Sequence, residues 1–314
     1  MPSLPRLLDQ PYLLLSLASL FWAGNAVVGR AIVTEIPPVT LAQIRWSLAF
    51  LLLIPFAWPS VRAELPVIRR HIGVVLLLSL TGISAFNTLQ YWSLQYTTAT
   101  NVSVLQSSAP LMIGLWSLLL WRDPLSRGQL AGIATSLVGV LAIVSGGDIA
   151  QLLGLTLNVG DIVMLVAIVD YAFYSTLLRG RPGISPISFL AVTIGLGAAL
   201  LLPLSLAEYL SGARIEGMSP GGFAALAYVA IFPSILSYTF FNRGVGLIGA
   251  NRAGPFFHLI PLFGSLLAII FLGERPGWHH LVGAALIISG VFIAGRAAQR
   301  HAGGNRVADE RRSP

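Results

Sequence analysis

Residues 97–144 read TTATNVSVLQSSAPLMIGLWSLLLWRDPLSRGQLAGIATSLVGVLAIV, and residues 249–295 read GANRAGPFFHLIPLFGSLLAIIFLGERPGWHHLVGAALIISGVFIAG. A shift of 151 residues lays Pro110 on Pro261, Gly132 on Gly283, Gly139 on Gly290 and Val140 on Val291, and it puts Asp123 beside Glu274. With a one-residue gap the match extends to Ser84 with Ser234 and Asn101 with Asn251. Proline, acid, glycine and glycine in one order at constant spacing mark a repeat. Each stretch also holds two apolar runs of about 20 residues, enough for a helix to cross a hydrocarbon layer of roughly 30 Å.

Working outward, runs of that kind lie near 11–33, 38–58, 71–95, 98–120, 127–146, 160–178, 186–210, 221–243, 252–273 and 277–296. Turn signals part them at Pro37-Pro38, Pro59, Asp123-Pro124, Gly146-Gly147, Arg181-Pro182-Gly183, Ser219-Pro220 and Arg275-Pro276-Gly277. Between the third and fourth runs only polarity around Thr97 to Asn101 marks the break. The first run is too long for the apolar core of a signal peptide and lacks a clean small-residue cleavage site.

Composition agrees. Of 314 residues 55% are hydrophobic and 10% charged, with a mean hydropathy of +0.80. A soluble domain carries about 25% charged residues, so most of this surface must face lipid. The absence of cysteine excludes disulfides and thiolate chemistry. The net charge of +7 does not point to nucleic acid, because the arginines sit in short loops and not on one face. With the N-terminus cytoplasmic, the external side holds Arg30, Arg214 and Arg275, Arg45 lies within a span, and the other fifteen of the nineteen basic residues are internal. That is a strong positive-inside bias. It predicts ten spans in a cell inner membrane with both termini in the cytoplasm.

Five helices per copy is an odd number, so the second copy must be inverted relative to the first. The expected fold is an all-α integral membrane protein: ten transmembrane helices as two inverted five-helix repeats around a central cavity. Residues 1–147 form the first repeat and 148–296 the second. Residues 297–314 form a polar, unstructured cytoplasmic tail. Inverted repeats characterise alternating-access transporters, with the substrate at the midplane between halves. No Walker A stretch is present, so ATP hydrolysis is not the drive. An intramembrane enzyme is the alternative from another class, but no HExxH, GxSxG or paired-carboxylate motif occurs. No charged ring or filter speaks for a channel.

These residues carry a family resemblance. FWAGNAVVGRAI, residues 21–32, resembles the opening motif of the EamA family in the drug/metabolite transporter superfamily. The two stretches quoted above are similar to that family's fourth and fifth, and ninth and tenth, helices. The resemblance implies two five-helix repeats about a central cavity, no cofactor, and a small metabolite as substrate. The aromatic content further resembles the aromatic amino-acid exporters of that family. Sugar-phosphate and nucleotide-sugar carriers are the alternative within the superfamily. They are disfavoured because a phosphate site wants clustered basic residues and Arg45 stands alone inside the spans.

Polar groups inside spans are costly, about 2.5–3.5 kcal/mol for a central charge on insertion scales, and are candidates by default. Asp170 shares a helical face with Tyr171 and Tyr174, and reads as a cation or proton site or as a structural carboxylate. Arg45 is a candidate for a substrate carboxylate, with snorkelling or pairing to an acid as the bland reading. Asn87, Gln90 and Tyr91 form one polar stripe; Gln106 and Ser107 precede Pro110 on another; Ser234, Tyr238 and Asn242 form a third. Phe257 and His258 precede Pro261 and fall opposite Gln106 and Ser107 in the repeat. His258 is a second candidate for proton coupling. Trp22 and Asn25 lie one turn apart, and the family motif implies that Trp22 lines the cavity. Interhelical hydrogen bonding explains any one of these residues; the set together predicts a wet cavity. Hinges are expected at Gly82, Pro110, Pro233 and Pro261. No residues stand at metal-ligand spacing. Helices 5 and 10, glycine-rich, are expected to support the cavity walls and to offer a contact for a homodimer.

Overall fold

A computed structural model describes residues 8–32, 35–154, 158–215, 217–272, 275 and 277–310. Glu274, Arg6, Arg311 and Arg312 lie outside the described residues, as do the side chains of Arg30, Arg300 and Arg306. In chain order, α1 is Pro11–Ile32 and α2 is Pro38–Arg70. α3, Ile72–Ser93, is interrupted by a π-helical turn at Leu80–Ala85. α4 comes in two pieces, Ala99–Gln106 and Ala109–Trp121, and α5 is Arg127–Val144. After the five-residue helix Ile149–Leu153 come α6, Val159–Leu177, and α7, Pro186–Leu210. α8, Pro220–Ile248, carries a second π-helical turn at Ile231–Leu236. α9 joins Ala250–Ala253, the 3-10 segment Gly254–His258 and Leu259–Leu272. α10 is Trp278–Glu310. Among the described residues nine helices are long and apolar enough to cross a membrane, beginning with Pro38–Arg70. α1 has 22 residues, about 33 Å at 1.5 Å each.

Local chemistry sets the helix starts. Thr98, Ser126, Asn158, Ser185 and Ser219 each accept a hydrogen bond from a backbone N–H of the first turn, satisfying donors that an α-helix leaves orphaned. Thr98 thus supplies the break between the third and fourth spans. Ser126 with Gln129, and Asn158 with Asp161, form complete capping boxes.

Two boundaries differ from the sequence reading. α2 does not end at Pro59 but runs 33 residues through Pro55, Pro59 and Pro66. All three prolines lie on its exposed face, where a lost hydrogen bond bends a helix without opening the core. α10 continues to Glu310, past residue 297 where the tail is expected to begin.

Two antiparallel pairs frame the bundle. α2 and α7 clasp each other by carboxylates at both ends. Glu208 near the end of α7 accepts from Val39 N (3.1 Å), Thr40 N (2.7 Å) and the Thr40 hydroxyl (2.8 Å) at the start of α2. Glu64 near the end of α2 accepts from Ser185 N (2.8 Å) and its hydroxyl (3.0 Å) at the start of α7. Negative charge at a helix N-terminus is favourable. α5 and α10 pack most extensively of all the elements. A Cβ on Gly132 would lie 2.6 Å from Gly290 O, and one on Gly139 would lie 2.6 Å from Gly283 O. As one number rises its partner's falls, so the helices run antiparallel with their backbones touching through glycine.

Candidate functional site

The two π-helical turns stand 151 residues apart, the spacing of the sequence repeat. Such turns loosen a helix and recur at functional sites. In each, a serine hydroxyl donates to the carbonyl five residues back: Ser84 to Ser79 (3.3 Å) and Ser234 to Val229 (2.7 Å). Gly82 and Pro233 lie inside these turns, while Pro110 and Pro261 lie in the first turn of the second piece of their broken helices.

At the centre the rings meet. Trp22 stacks on Phe257 at 5.6 Å and an interplanar angle of 18°. It meets Tyr171 at 5.9 Å, Tyr238 at 6.0 Å and Phe241 at 5.2 Å. Tyr171 meets Phe86 at 4.5 Å and Tyr174 at 5.4 Å. α1, α3, α6, α8 and α9 thus converge in one aromatic cluster, and the face of Tyr238 turned to α2 is closed by Trp46 at 5.3 Å.

Beside this cluster lies Arg45, fully buried. Its Nε donates to Ser234 Oγ at 2.6 Å. Its Nη1 donates to Tyr91 OH (2.7 Å), Asn87 Oδ1 (2.9 Å) and Asn25 Oδ1 (3.4 Å). All four partners are neutral, and Nη2 is buried without any partner. A buried guanidinium without a carboxylate is an expensive arrangement. Asp170 does not pair with it: among the described residues the ion pair present is Arg243–Asp9. Asp170 sits half-buried at the margin of the core face of α6, with Oδ2 buried and unpartnered. Tyr171 OH and Trp46 Nε1 are likewise buried and unpartnered.

The polar contacts repeat across the halves with roles exchanged. Tyr91 of α3 donates to Asn25 of α1 (3.3 Å), and Tyr174 of α6 donates to Asn242 of α8 (2.9 Å). Asn87 and Tyr238, one repeat apart, bond each other at 3.3 Å. Trp22 Nε1 donates to Pro233 O at 3.2 Å, which ties the aromatic centre to the π turn of α8.

Not every expected residue joins the site. Gln90 and Gln106 are half-buried, and neither side chain bonds the cluster. His258 bridges α9 to α4 and α5. Its Nε2 lies 2.8 Å from Ser107 O, so it must donate there, and Nδ1 is in hydrogen-bond contact with the Ser136 hydroxyl. Both ring nitrogens are therefore partnered. His258→Leu is expected to orphan both partners and lower stability by about 2–4 kcal/mol, seen as a drop in Tm in detergent, whereas His258→Gln should lose less. Residues that sequence reasoning passed over are Trp46, Phe86 and Phe241. Each stands one or three positions from a residue it singled out, which was the available signal. Among the described residues no three His, Cys, Asp or Glu group to hold a metal ion.

Comparison with known proteins completes the assignment. The model of the EamA-like transporter family matches residues 10–145 and again 158–296. The chain belongs to this family and is a transporter of the EamA type. A transporter of Archaeoglobus fulgidus is 29% identical over 93% of this chain and 99% of its own. A probable terminal-alkyne amino-acid exporter of Streptantibioticus cattleyicolor is 25% identical over 72% of this chain and 74% of its own. A probable amino-acid metabolite efflux pump of Salmonella typhimurium is 26% identical over 87% of this chain and 90% of its own. A solved crystal structure shares the fold at a TM-score of 0.74 and 17% identity, covering 92% of this chain and 98% of that one.

Proposed function

We propose that this protein exports small zwitterionic metabolites, neutral and aromatic amino acids foremost, by alternating access of two inverted five-helix repeats. In this reading α1 is the tenth span, the arginine-rich side faces the cytoplasm of a cell inner membrane, and transport needs no ATP. α5 and α10 are repeat mates that run antiparallel, as inversion requires. The exchanged Asn25–Tyr91 and Tyr174–Asn242 contacts and the matching π turns support the same symmetry.

One observation carries the substrate class. Arg45 lies beside the aromatic cluster and Asp170 adjoins Tyr171 of that cluster in α6; the two are unpaired with each other, and each keeps a buried polar atom without a partner. A substrate carboxylate completes Arg45 Nη2. An ammonium group completes Asp170 Oδ2, with help from the faces of the surrounding rings. The apolar side chain of the substrate lies against Trp22, Phe241 and Phe257. A single guanidinium with neutral neighbours suits a carboxylate monoanion, whereas a phosphate dianion wants several cations. Arg45 holds Ser234 in the π turn of α8, so a bound carboxylate draws on the element expected to bend. Two states that bind the substrate differently are what alternation needs.

The test is counterflow of labelled amino acids in proteoliposomes, with and without a pH gradient. Saturable exchange of phenylalanine, tryptophan or leucine is expected. Exchange of none of them, or exchange of a sugar phosphate instead, contradicts the reading.

A further inference from the structure

At the arginine-rich end, away from the aromatic centre, the ends of α4, α6, α8, α9 and α10 part around a cleft of about 500 Å³. Arg122, Arg179 and Arg252 line it, together with Asp123, Asn251, Trp121 and Leu247. None of the three arginines forms an ion pair, with Asp123 or with any other described acid. The cleft therefore carries a net charge of +2 from these side chains.

Its shape is built. Beyond α4 the chain turns at Arg122 with φ 52° and ψ 35°, the one positive φ outside glycine among the described residues. That position normally favours glycine or asparagine, and another residue there costs about 1–2 kcal/mol. The turn is held by Arg122 N to Leu118 O (3.0 Å), Asp123 N to Ser117 O (3.2 Å) and Asn251 Nδ2 to Asp123 O (3.0 Å). Arg179 lies 5.4 Å over the Trp121 ring, and Arg252 Nη2 is anchored on Ala298 O at 2.7 Å. With Nδ2 committed, Asn251 presents Oδ1 as a buried acceptor with no partner, on a side chain only 9% exposed.

We propose that this cleft binds the phosphate diester of an anionic membrane phospholipid. The three guanidinium groups surround the phosphate, and Asn251 Oδ1 accepts from a hydroxyl of the headgroup. A lipid source follows from the apolar track leading to the cleft. Leu111, Leu115 and Leu118 are exposed along α4 at the spacing that ends on Arg122. That stripe runs about 16 Å, room for most of an acyl chain. Trp121 and Leu247 stay exposed at the rim. A soluble phosphate has no use for such a track.

The test measures retention of phosphatidylglycerol and phosphatidylcholine by the delipidated full-length protein, using native mass spectrometry. Phosphatidylglycerol should bind saturably and at least about tenfold more tightly than phosphatidylcholine. Each arginine is expected to contribute about fivefold, so Arg122→Gln, Arg179→Gln and Arg252→Gln together should cost about a hundredfold. Arg122→Gly guards against misfolding: glycine suits the positive φ, so Tm should hold or rise while phosphatidylglycerol affinity falls about fivefold. Equal binding of the two lipids, or equal binding by wild type and the triple variant, overturns the proposal. Full displacement by millimolar inorganic phosphate, with deacylated glycerophosphoglycerol binding as tightly as the lipid, would reassign the cleft to a soluble phosphate and also overturn it.

Discussion

Arg45→Gln is expected to abolish measurable amino-acid exchange while leaving the protein folded. Arg45 is fully buried, its partners are Ser234, Asn25, Asn87 and Tyr91, and Nη2 has none. Removing one half of a buried charge pair costs about 2–5 kcal/mol, roughly thirtyfold to several thousandfold in affinity for a substrate carboxylate. The loss should be selective. Phenethylamine, which keeps the ring and the ammonium but lacks the carboxylate, should bind wild type and variant within a few-fold of each other. Stability should not follow function, because replacing an uncompensated buried charge by a neutral group is often neutral or favourable. Arg45→Lys tests geometry: an ammonium is a point charge and does not offer the planar fork that reaches α1, α3 and α8 together. Exchange by Arg45→Gln at the wild-type rate would remove Arg45 from the substrate site.

The second large effect belongs to α5 and α10. Gly132→Leu should prevent the two helices from docking. A Cβ alone at position 132 would lie 2.5 Å from Ala294 N and 2.6 Å from Gly290 O, both backbone atoms that cannot swing aside. Overpacking ordinarily costs about 1–3 kcal/mol and more where backbone must move, so a sharp fall in folded yield and Tm is expected. Gly290→Leu should behave alike, since its Cβ would lie 2.5 Å from Gly132 O. Gly264→Ala is the control, with nothing within 4 Å of the added carbon. Unchanged Tm for Gly132→Leu would mean that the close crossing does not hold the bundle together.

Much of the frame was legible in the residues. The Pro110–Pro261 and Gly132–Gly283 register fixes a spacing of 151, and the π turns of α3 and α8 fall on it. Gly82 and Pro233, expected as hinges, each lie within one of those turns. The turn at Thr98 was visible only as polarity, because a cap needs one side chain and no proline. The end of α2 was misjudged at Pro59 because a proline reads as a stop in sequence. On the exposed face of a helix supported by α7 it is a bend.

The candidate site was half legible for a related reason. Periodicity tells which residues share a face and is silent on what that face meets. It singled out Asn25, Asn87, Tyr91, Tyr171, Tyr174, Tyr238 and Phe257, which the fold gathers. It could not say that His258 turns to Ser107 and Ser136, or that Arg45 and Asp170 remain apart. Nor could it show that α2 and α8 turn Trp46 and Phe241 inward, where both are buried.

The central claim is that the cluster around Arg45 is the substrate site and is reached from both sides of the membrane in turn. Ser234 touches Arg45 Nε at 2.6 Å, and the chain contains no cysteine, so Ser234→Cys places one thiol at the site with little change in volume. Its labelling by a membrane-impermeant thiol reagent, applied separately to right-side-out and inside-out vesicles, is the direct measurement. The account predicts labelling from both sides, slowed in both cases by an exchanged amino acid and not by its amine analogue. Labelling from one side alone, or a rate indifferent to substrate, would contradict it.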